Sequence, residues 1–199
     1  MKFTVLASAI GAAALVSALP AQAITTVYSA VLTGAAEAPP NASSGTGFAI
    51  VTLDDTAFTM RVQSVFAGLA GTVTAAHIHC CTTSPGTGTA GVATTTPTFT
   101  GFPSGVSTGT YDVTFNMLSA ASWNTPYITG NGGTVNSAFA ALQTGLNSGS
   151  AYFNLHSSAF GGGEIRGFLV TQVPEPATYA LMALGLAVVG GLARRRRPA

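Results

Sequence analysis

The chain has 199 residues, room for one ordinary domain or two small ones, yet only 7% of them are charged while 47% are hydrophobic and 24 are glycine. Soluble proteins average about 25% charged residues, and here four of the seven basic residues form one block, Arg194 to Arg197, with Lys2 at the other extreme. Between Ile24 and Gln172 only Arg61 and Arg166 face Glu37, Asp54, Asp55, Asp112 and Glu164, two basic against five acidic, a net of −3 with no lysine. That balance excludes a nucleic-acid binder, which needs a basic stripe to displace counterions from phosphates, and all lysine-dependent chemistry.

Met1 to Ala23 combines a basic residue at position 2, an apolar run from Val5 to Leu19 and the small-residue ending Ala21-Gln22-Ala23. This is the pattern of a secretory signal peptide cut after Ala23. A single domain is expected over residues 24 to 172. Thr26 to Thr33 alternates as a strand, with Tyr28, Ala30 and Leu32 on one face. Phe48 to Leu53 and Phe58 to Phe66 follow, and Asp54-Asp55-Thr56 between them predicts an antiparallel hairpin. Val73 to His79 is a fourth strand. Cys80 to Thr108 is mostly Thr, Gly and Pro and reads as a long surface excursion with at most one short strand around Pro97 to Phe102. Further strands are expected over Gly109 to Met117, Ala151 to His156 and Glu164 to Val170, with one short helix carrying Val135, Phe139 and Leu142 and stopping at Gly145. Short strands separated by Gly, Pro and Thr predict an all-β fold, an antiparallel β-sandwich of immunoglobulin-like or superoxide-dismutase-like Greek-key type.

The tail, residues 173 to 199, has its own logic. Pro174-Glu175-Pro176 precedes an apolar run from Ala177 to Ala193, whose seventeen residues span about 25 Å as a helix. This is near the lower limit for a bilayer core, and Arg194, Arg195, Arg196 and Arg197 would hold the C-terminus in the cytoplasm. Triplet, span and arginine cluster in this order resemble the PEP-CTERM sorting signal of Gram-negative bacteria. The resemblance implies an exosortase as processing partner, a transient membrane anchor, and delivery to the cell surface or an exopolysaccharide matrix.

Inside the domain, three separated motifs agree: Ala30 to Pro40 (AVLTGAAEAPP), Ala75 to His79 (AAHIH) and Gly149 to Phe168 (GSAYFNLHSSAFGGGEIRGF). Together they resemble the CHRD domain, a β-sandwich module of secreted proteins with no settled biochemical activity, so the resemblance implies a fold rather than a reaction.

Function must be read from the residues. His77 and His79 lie two apart on one strand and share a face, and His156 shares its own strand face with Tyr152 and Asn154. Three imidazoles would accept copper or zinc, with Glu37 and Glu164 as available carboxylates. The competing reading is a structural polar cluster of histidines with Glu37, Glu164 and Arg166, in which Arg166 pairs with one of the two glutamates. The His-x-His strand is similar to the copper-binding strand of copper-zinc superoxide dismutases, but the further histidines and aspartate of their zinc site are missing, and dismutase activity is not expected. Cys80 and Cys81 admit four readings: a vicinal disulfide, soft metal ligands, cross-links to another chain, or two free thiols. No Gly-x-Ser-x-Gly, no His-Glu-x-x-His and no catalytic carboxylate pair occurs. Trp123, Tyr127 and Tyr152 are candidates for stacking on sugars. The expectation is a non-enzymatic structural or binding module of the surface or matrix, with an extracellular copper or zinc protein as the alternative.

Overall fold

The computed structural model describes residues 25–172 and, beyond them, Leu186 alone. The signal peptide, Pro174, Glu175, Pro176, the span and the arginine cluster lie outside the described residues. Among the described residues no helix is long and apolar enough to cross a membrane.

The domain is all-β and antiparallel. Its strands are β1 (Thr25–Thr33), β2 (Thr46–Asp54), β3 (Thr59–Ala67), β4 (Val73–His79), β5 (Gly109–Asn116), β6 (Tyr152–Ser157), β7 (Ile165–Phe168) and β8 (Val170–Thr171). Alternation dictates their faces: Tyr28, Ala30 and Leu32 are buried while Val31 is 65% exposed, and Met60, Val62 and Phe66 point inward while Arg61 and Val65 face solvent. The expected β2–β3 hairpin forms, with Asp54 opposite Thr59 and the Asp54 carboxylate accepting from the Thr56 and Ala57 amides.

The strands hydrogen-bond along one path, β4-β6-β7-β1-β2-β3-β5, with β8 added to β1. This corrects the immunoglobulin expectation, because two separately bonded sheets are not present among the described residues. The reason lies in the β3–β4 connection. Along the path the two strands are five spacings apart, about 24 Å in a flat sheet. The six Cα steps from Ala67 to Val73 reach at most about 21 Å when fully extended. The sheet must therefore curl into a half-barrel, and its two ends become the facing layers a sandwich would have had. β4 returns to the β1 side of the β1–β3 meander in the Greek-key sense, with β6 and β7 inserted between.

The segment from Cys80 to Thr108 departs most from expectation. It forms no strand at Pro97 to Phe102; instead Phe99 is fully buried and Phe102 nearly so. Phe99 stacks on Phe153 of β6 at 5.9 Å and packs at a tilt against Phe115 of β5 at 5.4 Å, joining the two ends of the curled sheet. The same segment is stitched along the free edge of β4 by Phe99 N–H to Ala76 O, Ala93 N–H to Ile78 O, and the hydroxyls of Thr94 and Thr98, which accept from the Ile78 and Ala76 amides. Its threonines supply edge-strand partners as well as surface.

Within residues 25–172, two α-helices stand where one helix is expected. α1 (Thr125–Gly130) is short, and α2 (Val135–Asn147) is opened by a capping box between Thr134 and Ser137. α2 buries Phe139, Leu142 and Leu146 and runs through Gly145 without stopping. The absence of a side chain serves packing there. A Cβ on Gly145 would collide with both sulfurs of Cys80 and Cys81.

Candidate metal centre

β4 and β6 pair with His77 opposite Asn154, His79 opposite Tyr152, and Ala75 opposite His156. Alternation sends Ala76, Ile78, Phe153 and Leu155 into the core, where all four are fully buried. The opposite face therefore collects His77, His79, Tyr152, Asn154 and His156. Because His156 lies across from Ala75, it is the diagonal neighbour of His77. The ring centroids are 5.3 Å apart for His77 and His156, 5.8 Å for His77 and His79, and 6.1 Å for His79 and His156.

Each ring is fixed by one backbone carbonyl. His77 Nε2 donates to Pro97 O, His79 Nδ1 to Ala90 O at 2.9 Å, and His156 Nδ1 to Gly161 O at 3.0 Å. A carbonyl only accepts, so the proton of each neutral imidazole sits on the anchored nitrogen and the other nitrogen keeps its lone pair. Those other atoms, His77 Nδ1, His79 Nε2 and His156 Nε2, are buried and without a hydrogen-bond partner. One ligand nitrogen from each ring lies within 4.8 Å of the other two. Burial disfavours the charged imidazolium throughout. It lowers His79 to about 4 and holds His77 and His156 below the ordinary histidine value. At neutral pH the site is three clustered neutral imidazoles, each with one buried, unpartnered nitrogen.

An unpaired buried acceptor costs about 1–3 kcal/mol, and three at one place are hard to explain as a finished hydrogen-bond network. A tetrahedral ion with Zn–N bonds near 2.0–2.1 Å separates its nitrogens by about 3.3 Å, so ring movements of about an ångström would complete the set. The carbonyl anchors supply the orienting hydrogen bonds that metal-ligating histidines ordinarily have.

Tyr152 supports this arrangement. Its ring stacks on His79 with centroids 4.8 Å apart and planes 5° from parallel. Its hydroxyl accepts from Ala90 N–H at 3.2 Å and donates to Ala90 O at 3.3 Å, the carbonyl that also orients His79. The Arg166 guanidinium carbon lies 4.7 Å from the centroid of the Tyr152 ring. Sequence reasoning placed Tyr152 on the right face but did not find its link to Ala90. Backbone carbonyls of a Gly- and Thr-rich loop leave no side-chain signature.

The predicted polar cluster divides in two. Arg166 donates from Nε to Ala36 O and lies 3.8 Å from Glu37 Oε2, so Glu37 is its carboxylate. Glu164 is elsewhere. It accepts from Ser43 Oγ at 2.6 Å and from the Ala70 and Gly71 amides, tying down the short link that curls the sheet. Burial pushes the Glu164 carboxyl up, but hydrogen bonds from Ser157, Ser43, Ala70 and Gly71 outweigh it and hold the group below the usual carboxylate value. With its oxygens so occupied, Glu164 is not an available ligand, and the geometric cluster contains no carboxylate. Cys80 and Cys81 are joined to each other in a vicinal disulfide.

Glu37 Oε1 and Asn154 Oδ1 are also buried without partners, and both crowd the position a Cβ on Gly163 would take. Burial raises Glu37 to about 7, against the attraction of Arg166. A carboxyl raised from 4.5 to about 7 favours the folded state below pH 4.5 and loses that advantage as pH rises through 7. Glu37→Gln removes the dependence. Denaturant unfolding of both proteins in parallel should show the variant gaining on the wild type by about 3 kcal/mol between pH 4.5 and 8; a pH-independent difference would contradict this account.

A family model described as the CHRD domain matches residues 28–169, most of the chain and nearly all of the described sheet. The chain belongs to the CHRD family. A second match, the PEP-CTERM protein-sorting motif, covers residues 172–197 and takes up where the last strand of the CHRD domain ends. That motif marks this CHRD protein as one exported, transiently anchored, processed by an exosortase and displayed at the surface. No curated protein and no solved structure matches the chain. All three histidines fall within the CHRD match.

Proposed function

We propose that this CHRD protein is a non-enzymatic surface protein that binds a divalent transition metal, zinc or copper, through His77 Nδ1, His79 Nε2 and His156 Nε2. The carrying observation is that these three atoms are each buried, lone-pair bearing and unpartnered, on three rings that each bring a ligand nitrogen within 4.8 Å of the other two. An all-nitrogen set of neutral imidazoles suits zinc and copper and gives no oxygen cage for calcium or magnesium. The carbonyl anchors orient the rings before the ion arrives, and Tyr152 holds the Ala90 anchor in place. A purely structural module of the matrix is the competing reading.

The test is elemental analysis of the mature protein recovered from its producing cells without an added histidine tag. About one zinc or copper per chain is expected, lost on chelation and restored by adding the ion. Background metal content together with no uptake after reloading would sink the proposal and leave the matrix-module reading.

A further inference from the structure

Beyond the end of β4, a cavity of about 370 Å³ opens between the Cys80-Cys81 disulfide, Gly91-Val92 and α1. This is at the small end of ligand pockets, the scale of one small ring compound. None of its lining side chains carries a formal charge. Val92, Pro126 and the disulfide form its apolar walls.

The polar groups around it are unusually well committed in direction. Asn124 Nδ2 donates to Val92 O at 3.0 Å and Asn131 Nδ2 to Tyr127 O at 2.8 Å, which fixes both amides and leaves each Oδ1 as an acceptor. Among the described residues the Tyr127 hydroxyl has no oxygen or nitrogen hydrogen-bond partner, and Cys81 Sγ lies 3.9 Å from it. Burial pushes that hydroxyl above its ordinary value and keeps it a neutral donor. The frame is rigid. Tyr127 stacks on Trp123 with planes 6° apart, and the disulfide rests on Gly145 of α2.

We infer that this cavity is a binding site for one neutral sugar unit. Two fixed acceptors and one hydroxyl match the donor and acceptor hydroxyls of a pyranose. The apolar walls match its C–H faces, and the absence of charge disfavours an anionic or cationic ligand. Preorganisation of the frame reduces the ordering penalty of binding. The inference is independent of the metal centre.

Trp123 is the one tryptophan of the chain and stacks on a lining residue, so its emission reports on the cavity. Glucose, galactose and N-acetylglucosamine are titrated singly into the mature protein, with saturation-transfer NMR as a second readout. At least one should give a saturable emission change with a millimolar dissociation constant, unchanged by chelating metal. Tyr127→Phe, which removes only the hydroxyl, should weaken it at least fivefold. Gly91→Leu should abolish it, since a Cβ there meets no atom within 4 Å and the side chain can fill the space. No saturable signal from any sugar would overturn the inference, as would binding unaffected by both variants. A response to galacturonate or triglycine alone would also overturn it in favour of a charged or peptide ligand.

Discussion

Addition of zinc or copper(II) to the metal-free protein is expected to raise its melting temperature, and His77→Ala, His79→Ala and His156→Ala are each expected to remove most of that increment. A ligand that binds only the folded state at about a thousand times its dissociation constant stabilises by about 4 kcal/mol. For a domain of this size that is on the order of 8–16 °C. The variants also lose a hydrogen bond to Pro97, Ala90 or Gly161, so their metal-free melting temperatures should fall somewhat. The diagnostic quantity is therefore the difference between metal-loaded and metal-free protein, measured separately for each variant by calorimetry. An increment that survives in all three single variants would place any bound metal elsewhere.

The pH dependence of the metal-free protein's stability has a defined sign. Imidazoles lowered by burial release their protons below the ordinary histidine value in the folded chain, whereas in the unfolded chain they take up protons near 6.5. Their contribution to stability is complete above the unfolded value and is lost as pH falls towards the folded one, about 4 for His79. His79 consequently keeps its lone pair at mildly acidic pH, where solvent-exposed histidines would already be protonated.

How much of this was legible follows from what kind of group carries each feature. Strand faces were legible because side chains alternate. His77, Ile78 and His79 could be assigned to opposite faces from spacing alone, and so could Tyr152 to His156. The convergence of His156 on His77 was not, because it depends on the β4–β6 register, which no spacing within either strand records. Glu164 and Arg166 lie two residues apart and were grouped in one polar cluster. Glu164 precedes the first residue of β7 and turns instead to the amides of the β3–β4 link. The curl itself was readable in hindsight only through strand order: five residues between β3 and β4 mean little until the path shows that four strands separate them. Gly145 illustrates a different limit. Glycine near a helix end signals a stop by its backbone freedom, but here it serves a close approach to sulfur, and sequence does not distinguish the two uses.

Phe99→Ala is expected to be the most damaging single truncation in the Cys80 to Thr108 segment, costing about 3–5 kcal/mol. Composition alone argues otherwise, since a Thr-, Gly- and Pro-rich stretch on an exported protein reads as a tolerant surface loop. Three observations reverse that reading. Phe99 has no exposed surface, its ring meets Tyr111 and Phe115 of β5 and Phe153 of β6, and its amide donates to Ala76 O on the free edge of β4. The ring therefore fills the space enclosed by the curled sheet and joins strands that are not neighbours along the hydrogen-bonded path. The curled walls are fixed by the β3–β4 link, so they cannot collapse far into the space left behind, which puts the cost towards the upper part of the range. Phe99→Leu, which keeps most of the volume, should lose substantially less, and Thr100→Ala, at an exposed neighbour, should fall within about 0.5 kcal/mol of wild type. Equilibrium unfolding in urea separates these outcomes. A loss below about 1 kcal/mol for Phe99→Ala would mean that the segment is the surface excursion its composition suggests.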